Sequence, residues 1–335
     1  MNTVTLSKIE TTRELDKLLE GYQFCARAEG KSDNTIQLAT IALGQLGDFL
    51  KSEGLPTDVS QIGAPELRSF IRYLQQRNVF SKHPYARSQD RHLTQQSIND
   101  YMRSISAFWS WLKDEELIDV NPFSKVKIPP STEAIIIPYP AEQIGALLAV
   151  VDNRTPVGSR DMAMILTFLD AGPRVSELCG LQFEDVDLDQ KLMKVHGKGA
   201  KERQIPIGSK VQRAMWKYVQ HSRPKPASPR FDNFFLTRDG RPLTRRHIGT
   251  MLRRYSEKTG LVGVKFSPHR FRHTFAISYL RNGGDVFTLQ RILGHSSLDT
   301  VRLYLNLASV DIQAAHRRYS PVDNLSVRVW KNKRI

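Results

Sequence analysis

Cysteine is scarce in this sequence, long apolar runs are absent, and the first 130 residues carry no net charge. The two cysteines, Cys25 and Cys179, stand far apart and supply neither a disulfide framework nor a zinc knuckle, so both read as small core residues. No run of about 18 apolar residues is present to form a membrane-spanning helix. The polar opening MNTVTLSKIETTRELDK has no apolar segment for export, and the expected location is the cytoplasm. There is also no internal repeat and no low-complexity tract.

What is present is a chain of 335 residues, 40% hydrophobic and 25% charged, long enough for two domains with separate cores. Its formal net charge is +15, which points to a polyanionic partner, most simply nucleic acid. Residues 1–130 hold 16 Lys or Arg against 16 Asp or Glu, so the whole excess lies in residues 131–335. The tightest phosphate contacts are expected there.

The composition changes at NPFSKVKIPPSTEAIIIPYP, residues 121–140, where five prolines and no helical period predict an extended linker. The preceding segment reads as four amphipathic helices. The first runs from Thr11 or Thr12 to Gly30, the second from the cap Ser32 to Gly54; the third opens at APELRSFIRYLQQR, with Pro65 in its first turn, and the fourth is TQQSINDYMRSISAFWSWLKDEE. Phe108, Trp109 and Trp111 read as core. The polar, basic stretch 79–93 reads as a solvated insertion. After the prolines, helical patterns alternate with KLMKVHGKGAKERQIPI, which predicts a hairpin around GKGAKE. The fold class expected is mainly α with a small β-sheet.

SPHRFRHTF places His269 and His273 one helical turn apart, the frame of a zinc motif. Arg270 occupies the position of that motif's glutamate base, and Arg272 adds a second cation, so a dication is disfavoured. An anion fits better: Arg272 shares a face with His269, and guanidinium plus imidazole suit phosphate oxygens. Elsewhere, LDAGPRVSELCG sets Arg174 at a helix start after Gly172, with Pro173 suited to the first turn and the helix N-terminus a second attraction for the same anion. Lys198 lies in the glycine-flanked hairpin turn. His295 follows Gly294, and Tyr304 comes nine residues later.

In this order, the motifs AGPRVSEL, GKGAKERQIPI, HRFRH and LGHSSLDTVRLY resemble those of the phage-integrase family, the tyrosine site-specific recombinases. The resemblance covers roughly residues 12–320. It implies an N-terminal four-helix, SAM-like core-DNA-binding domain (12–120), a linker (121–139), an α+β catalytic domain (140–320) and a C-terminal tail (321–335). It matches Arg174 to the first catalytic arginine, Lys198 to the hairpin lysine, His269 and Arg272 to the H-x-x-R pair, His295 to the His-or-Trp position and Tyr304 to the nucleophile. Pro173 and Phe271 depart from the usual residues. Glu177 and Asp185 read as supports.

A phenol of pKa about 10 is a weak nucleophile at neutral pH, and dense positive charge favours its phenolate as it attacks phosphorus. The resemblance therefore implies strand transfer by transesterification through a 3′-phosphotyrosine, with no cofactor, no metal and no ATP. It implies double-stranded DNA with inverted-repeat core sites as substrate and a homotetramer joined by exchanged C-terminal segments, with accessory DNA-bending proteins as further partners and no membrane. The patch LSVRVW is a candidate for the exchanged strand. With only about ten residues before the first helix, no separate arm-site-binding domain is expected. Two alternatives share parts of this pattern: a type IB topoisomerase, and a DNA-binding protein that keeps the fold without the reaction.

Overall fold

The computed structural model describes residues 13–79, 90–130, 137–197, 202–294, 304 and 312–325, the side chains of 312–315 excepted. The chain divides into two compact units, 1–134 and 135–335.

The first unit is built from α1 (Leu15–Ala28), α2 (Asp33–Ser52), α3 (Ala64–Gln76) and α4 (Gln95–Asp114). Three of the four starts have a side-chain cause. The Ser32 hydroxyl accepts from the Thr35 amide, and Thr94 does the same for Ser97. At α3 the Glu66 carboxylate reaches back to accept from the Gly63 amide at 2.8 Å, while Pro65 occupies the first turn. α1 begins after Glu14, and Thr11 and Thr12 lie outside the described residues. The apolar stripes meet in a core of leucines and aromatics in which Phe108, Trp109 and Trp111 are buried, as their spacing predicts. Tyr22 meets Phe108 edge-on at 5.5 Å. Within the proline-rich stretch, Asn121 caps a single 3₁₀ turn, Pro122–Lys125, and Val126 is buried against the same core. Most of the 79–93 insertion lies outside the described residues.

The second unit contains α5 (Ala141–Ala149), α6 (Pro156–Ala171), α7 (Val175–Gly180), β1 (Val186–Asp187), β2 (Leu192–His196), β3 (Glu202–Pro206), α8 (Ser209–His221), α9 (Arg245–Lys258), α10 (Pro268–Arg281), α11 (Val286–Leu293) and α12 (Ile312–Tyr319). The sheet is antiparallel in the order β1-β2-β3. The hairpin read from the sequence is β2–β3, in a register that sets Met193 opposite Ile205 and Val195 opposite Arg203. The two-residue β1 is too short to leave a periodic signal.

α6 lies at the centre, its Ala163, Ile165, Phe168 and Ala171 fully buried. It also carries a buried carboxylate, Asp161, which accepts from the Arg160 and Arg254 guanidiniums and from the Tyr255 hydroxyl at 2.7–3.2 Å. These charge-assisted bonds fasten α9 to α6. At the start of the unit the Tyr139 amide donates to the Thr274 hydroxyl and its own hydroxyl donates to the Lys265 carbonyl. Its ring lies 5.1 Å from that of Phe271, so Phe271 belongs to the core behind α10. Among the described residues no helix is long and apolar enough to cross a membrane.

Candidate active site

Three helix ends converge on one guanidinium. α6 stops at Gly172 and α11 at Gly294, both left-handed caps with φ of +58° and +65°. A side chain at Gly172 is also sterically barred, since its Cβ would stand 2.5 Å from Cδ1 of Phe275. These stops leave carbonyls facing the first turns of α10, which Ser267 caps and Pro268 opens. Arg272, buried on that helix, donates through Nη1 to the Gly172 carbonyl at 2.8 Å and through Nη2 to the Leu293 carbonyl at 2.6 Å. The negative ends of two helix dipoles therefore orient it. Burial, with Arg174 and Arg203 nearby, lowers its pKa to about 10, so it remains a cation at neutral pH.

Arg174 is the N-cap of α7. Its amide donates to Glu177 Oε2 at 2.7 Å and its Nη1 to Oε1 at 2.8 Å, while Nη2 reaches the Gly294 carbonyl at 3.3 Å. Its side chain is 41% exposed, so part of the guanidinium still faces solvent. One expectation is corrected here. Pro173 precedes the cap rather than opening the helix, because the left-handed turn at Gly172 and the Glu177 box set the start at Arg174. At this end of α7 the Glu177 carboxylate satisfies the amide of Arg174.

Glu177 is bound from a second side by Arg203 of β3, whose Nη1 and Nη2 reach Oε1 and Oε2, each at 2.8 Å. The Arg203 Nε donates to the Ile292 carbonyl at 2.7 Å. Burial alone would raise the Glu177 pKa, but the hydrogen bonds from Arg203 and from the Arg174 amide outweigh it and hold it at about 2. Arg203 was not among the residues singled out from sequence. The available signal was its position: it shares the inward face of β3 with Ile205, and an arginine there requires a buried carboxylate.

Asp185, the second expected support, is buried below the hairpin. It accepts from the Gln182 amide at 3.1 Å and faces Lys194 at 3.4 Å and His196 at 3.2 Å. The hairpin turn residue Lys198 and the residue after Gly294, His295, lie outside the described residues.

Tyr304 is buried, and its ring meets that of His273 edge-on with centroids 5.2 Å apart. Burial raises its pKa, and the charges of Arg272 and Arg174 act in the opposite direction. His273 Nε2 in turn lies 2.9 Å from His269 Nε2. Burial lowers both histidines, His273 to about 4, so each is neutral at pH 7. Of the six residues singled out, the structure thus brings together Arg174, His269, Arg272 and Tyr304. Chemically, the arrangement is a buried phenol near two oriented cations, of which Arg174 is partly exposed, with a neutral imidazole at its exposed edge: a cradle for a phosphate rather than for a metal dication.

The Phage integrase family model matches residues 139–310. Tyrosine recombinase XerC of Oceanobacillus iheyensis is 30% identical over 280 residues, which cover 83% of this chain and 87% of that protein. Tyrosine recombinase XerD of Shewanella oneidensis is 28% identical over 312 residues, 92% of this chain and 98% of its own. Among solved structures, the Tn1549 transposon integrase in complex with a circular intermediate DNA superposes with a TM-score of 0.67 at 20% identity, over 92% of this chain and 99% of that one. XerH site-specific recombinase bound to palindromic difH substrate gives 0.68 at 16% identity, over 95% and 87%. At these identities the superpositions speak for the fold alone. With a family model spanning half of the chain and a relative aligned over most of both lengths, the chain belongs to the phage integrase family and is a tyrosine recombinase.

Proposed function

We propose that this chain cuts and rejoins double-stranded DNA at specific sites through Tyr304. The observation that carries the reading is a buried phenol, Tyr304, whose ring meets His273, itself in contact with His269 on the helix that carries Arg272. Tyr304 Oη attacks the scissile phosphorus, forming a tyrosyl O–P bond as the bond to the 5′ oxygen breaks. The two guanidiniums hold the non-bridging oxygens and stabilise the charge of the five-coordinate state, each contact worth a few kcal/mol, on the order of 3, in a dry site. His269 serves at the rim, as proton acceptor or as a holder of the phosphate. Lys198 protonates the departing 5′ oxygen, and His295 donates to a phosphate oxygen.

The phosphotyrosine conserves the energy of the bond, so the 5′ hydroxyl of another strand reverses the step without ATP. In this reading residues 12–120 grip core DNA, residues 140–320 carry the reaction, and four copies assemble on two duplexes through their C-terminal segments. Accessory DNA-bending proteins would set direction. A nicked suicide substrate tests the core of it: wild type traps a covalent protein–DNA adduct and Tyr304→Phe traps none, with or without EDTA. An adduct in Tyr304→Phe would refute the assignment. Strand exchange between two sites, as against relaxation of one duplex, separates recombination from a topoisomerase.

A further inference from the structure

His273 is not one of the six residues assigned a role above, yet it sits between two of them. Its ring meets Tyr304 at 5.2 Å on one side, and its Nε2 lies 2.9 Å from His269 Nε2 on the other. The residue is buried, and its Nδ1 has no hydrogen-bond partner among the described residues. These facts decide how one proton is shared.

Both imidazoles are held neutral by burial, so each carries one N–H. An Nε2···Nε2 contact of 2.9 Å then requires one ring to donate and the other to accept. Were His269 the donor, His273 would have to accept at Nε2 and carry its own proton on Nδ1. That would bury an N–H without an acceptor, the costlier kind of orphan. Were His273 the donor, the orphaned Nδ1 would be only an unused lone pair. The second arrangement is favoured. It places the proton of His269 on Nδ1, the nitrogen not engaged by His273.

We propose, resting on the reading of the site given above, that His273 is a positioning residue which fixes His269 as the Nδ1–H tautomer, so that His269 donates a hydrogen bond to the scissile phosphate rather than removing the Tyr304 proton. In the resting enzyme neither nitrogen of His269 has a free lone pair: Nδ1 carries hydrogen and Nε2 accepts from His273. The phenolic proton is lost to water as the tyrosyl O–P bond forms, and His269 adds a third donor to the two guanidiniums. His273 supplies the donor that holds the tautomer, much as a hydrogen bond to the far nitrogen of a catalytic imidazole selects its form.

The test combines a direct reading of the tautomer with two variants. Nitrogen-15 spectra of histidine-labelled protein distinguish the protonated from the unprotonated ring nitrogen. In wild type, at pH 7.5, His269 is expected to be protonated on Nδ1. His273→Gln places an amide N–H near the former Nε2 and should keep both that tautomer and, within about threefold, the rate of adduct formation on the suicide substrate. His273→Phe keeps the ring against Tyr304 but removes the donor; the rate should fall at least about tenfold with DNA affinity unchanged. A wild-type His269 protonated on Nε2, or a His273→Phe enzyme that cleaves like wild type, overturns the proposal. If His273→Phe does not fold, the wild-type spectrum and the glutamine variant still decide. If wild type itself forms no adduct through Tyr304, the reading of the site fails instead, and the spectrum still reports on the histidine pair.

Discussion

Arg203 and Glu177 form a parallel, two-bond ion pair, both contacts at 2.8 Å, and Glu177 uses the same two oxygens to hold the amide and side chain of Arg174. A strand arginine that reaches no reacting group thereby fixes the position of a proposed catalytic one. Because Arg203 also donates to the Ile292 carbonyl, one guanidinium ties β3, α7 and the last turn of α11 together.

Arg203→Lys keeps the charge but cannot make the paired contact. Single-turnover adduct formation is expected to slow by about 10- to 100-fold while DNA affinity changes little. A variant that cleaves at the wild-type rate would show that Arg174 needs no such brace.

Removing the other partner is a question of stability. Glu177→Gln leaves two guanidiniums facing a neutral amide, and loss of one member of a buried pair typically costs about 3–5 kcal/mol. Urea unfolding should show a loss of that order, and Glu177→Ala no less. A loss below about 1 kcal/mol would mean that solvent screens the pair more than its burial indicates.

Acid should weaken the fold in two steps. His273 has a folded pKa of about 4, against 6.5 for a free histidine, so the unfolded chain binds the extra proton and stability falls as pH drops from 6.5 to 4. The term is at most about 3 kcal/mol, and His269, lowered in the same direction, adds to it. Glu177, lowered to about 2, contributes stability that is present above 4.5 and is lost as pH falls toward 2. Unfolding free energy measured from pH 7 to pH 3 should therefore decline throughout, and His273→Phe should flatten the upper part of the curve only.

The left-handed stop of α6 is sterically strict. Gly172→Ala meets both an unfavourable φ and the Phe275 ring, and should cost about 1–3 kcal/mol and slow cleavage by displacing the carbonyl that orients Arg272. Gly30, also left-handed but open around its Cα, should lose only about 1 kcal/mol as alanine. Thermal unfolding of the pair separates strain from crowding.

How much of this was readable beforehand differs by kind of interaction. Caps and periods are local, so the four helices of the first unit, the β2–β3 hairpin and the α10 start follow from Ser32, Pro65, Thr94, GKGAKE and Ser267. The motif residues Arg174, His269, Arg272 and Tyr304 were legible as types that suit a phosphate. Of their supports Glu177 was legible, three residues on from Arg174; the others were not, because they are long-range: Arg203 finds that carboxylate 26 residues away, and Arg272 is held by backbone carbonyls, which every residue has and no sequence pattern marks. Pro173 misled for a related reason: its preference for a first turn is real, but a capping box one residue on is stronger.

The central claim is that Tyr304 forms the covalent bond to DNA while Arg272 and Arg174 stabilise the phosphorus in transit. Its most direct test is peptide mapping of the adduct trapped on a nicked suicide substrate. The account predicts a 3′-phosphotyrosine at Tyr304, and adduct yields reduced at least about a hundredfold in Arg272→Ala and Arg174→Ala. A nucleotide attached to any other residue, or full yield without either arginine, would contradict it.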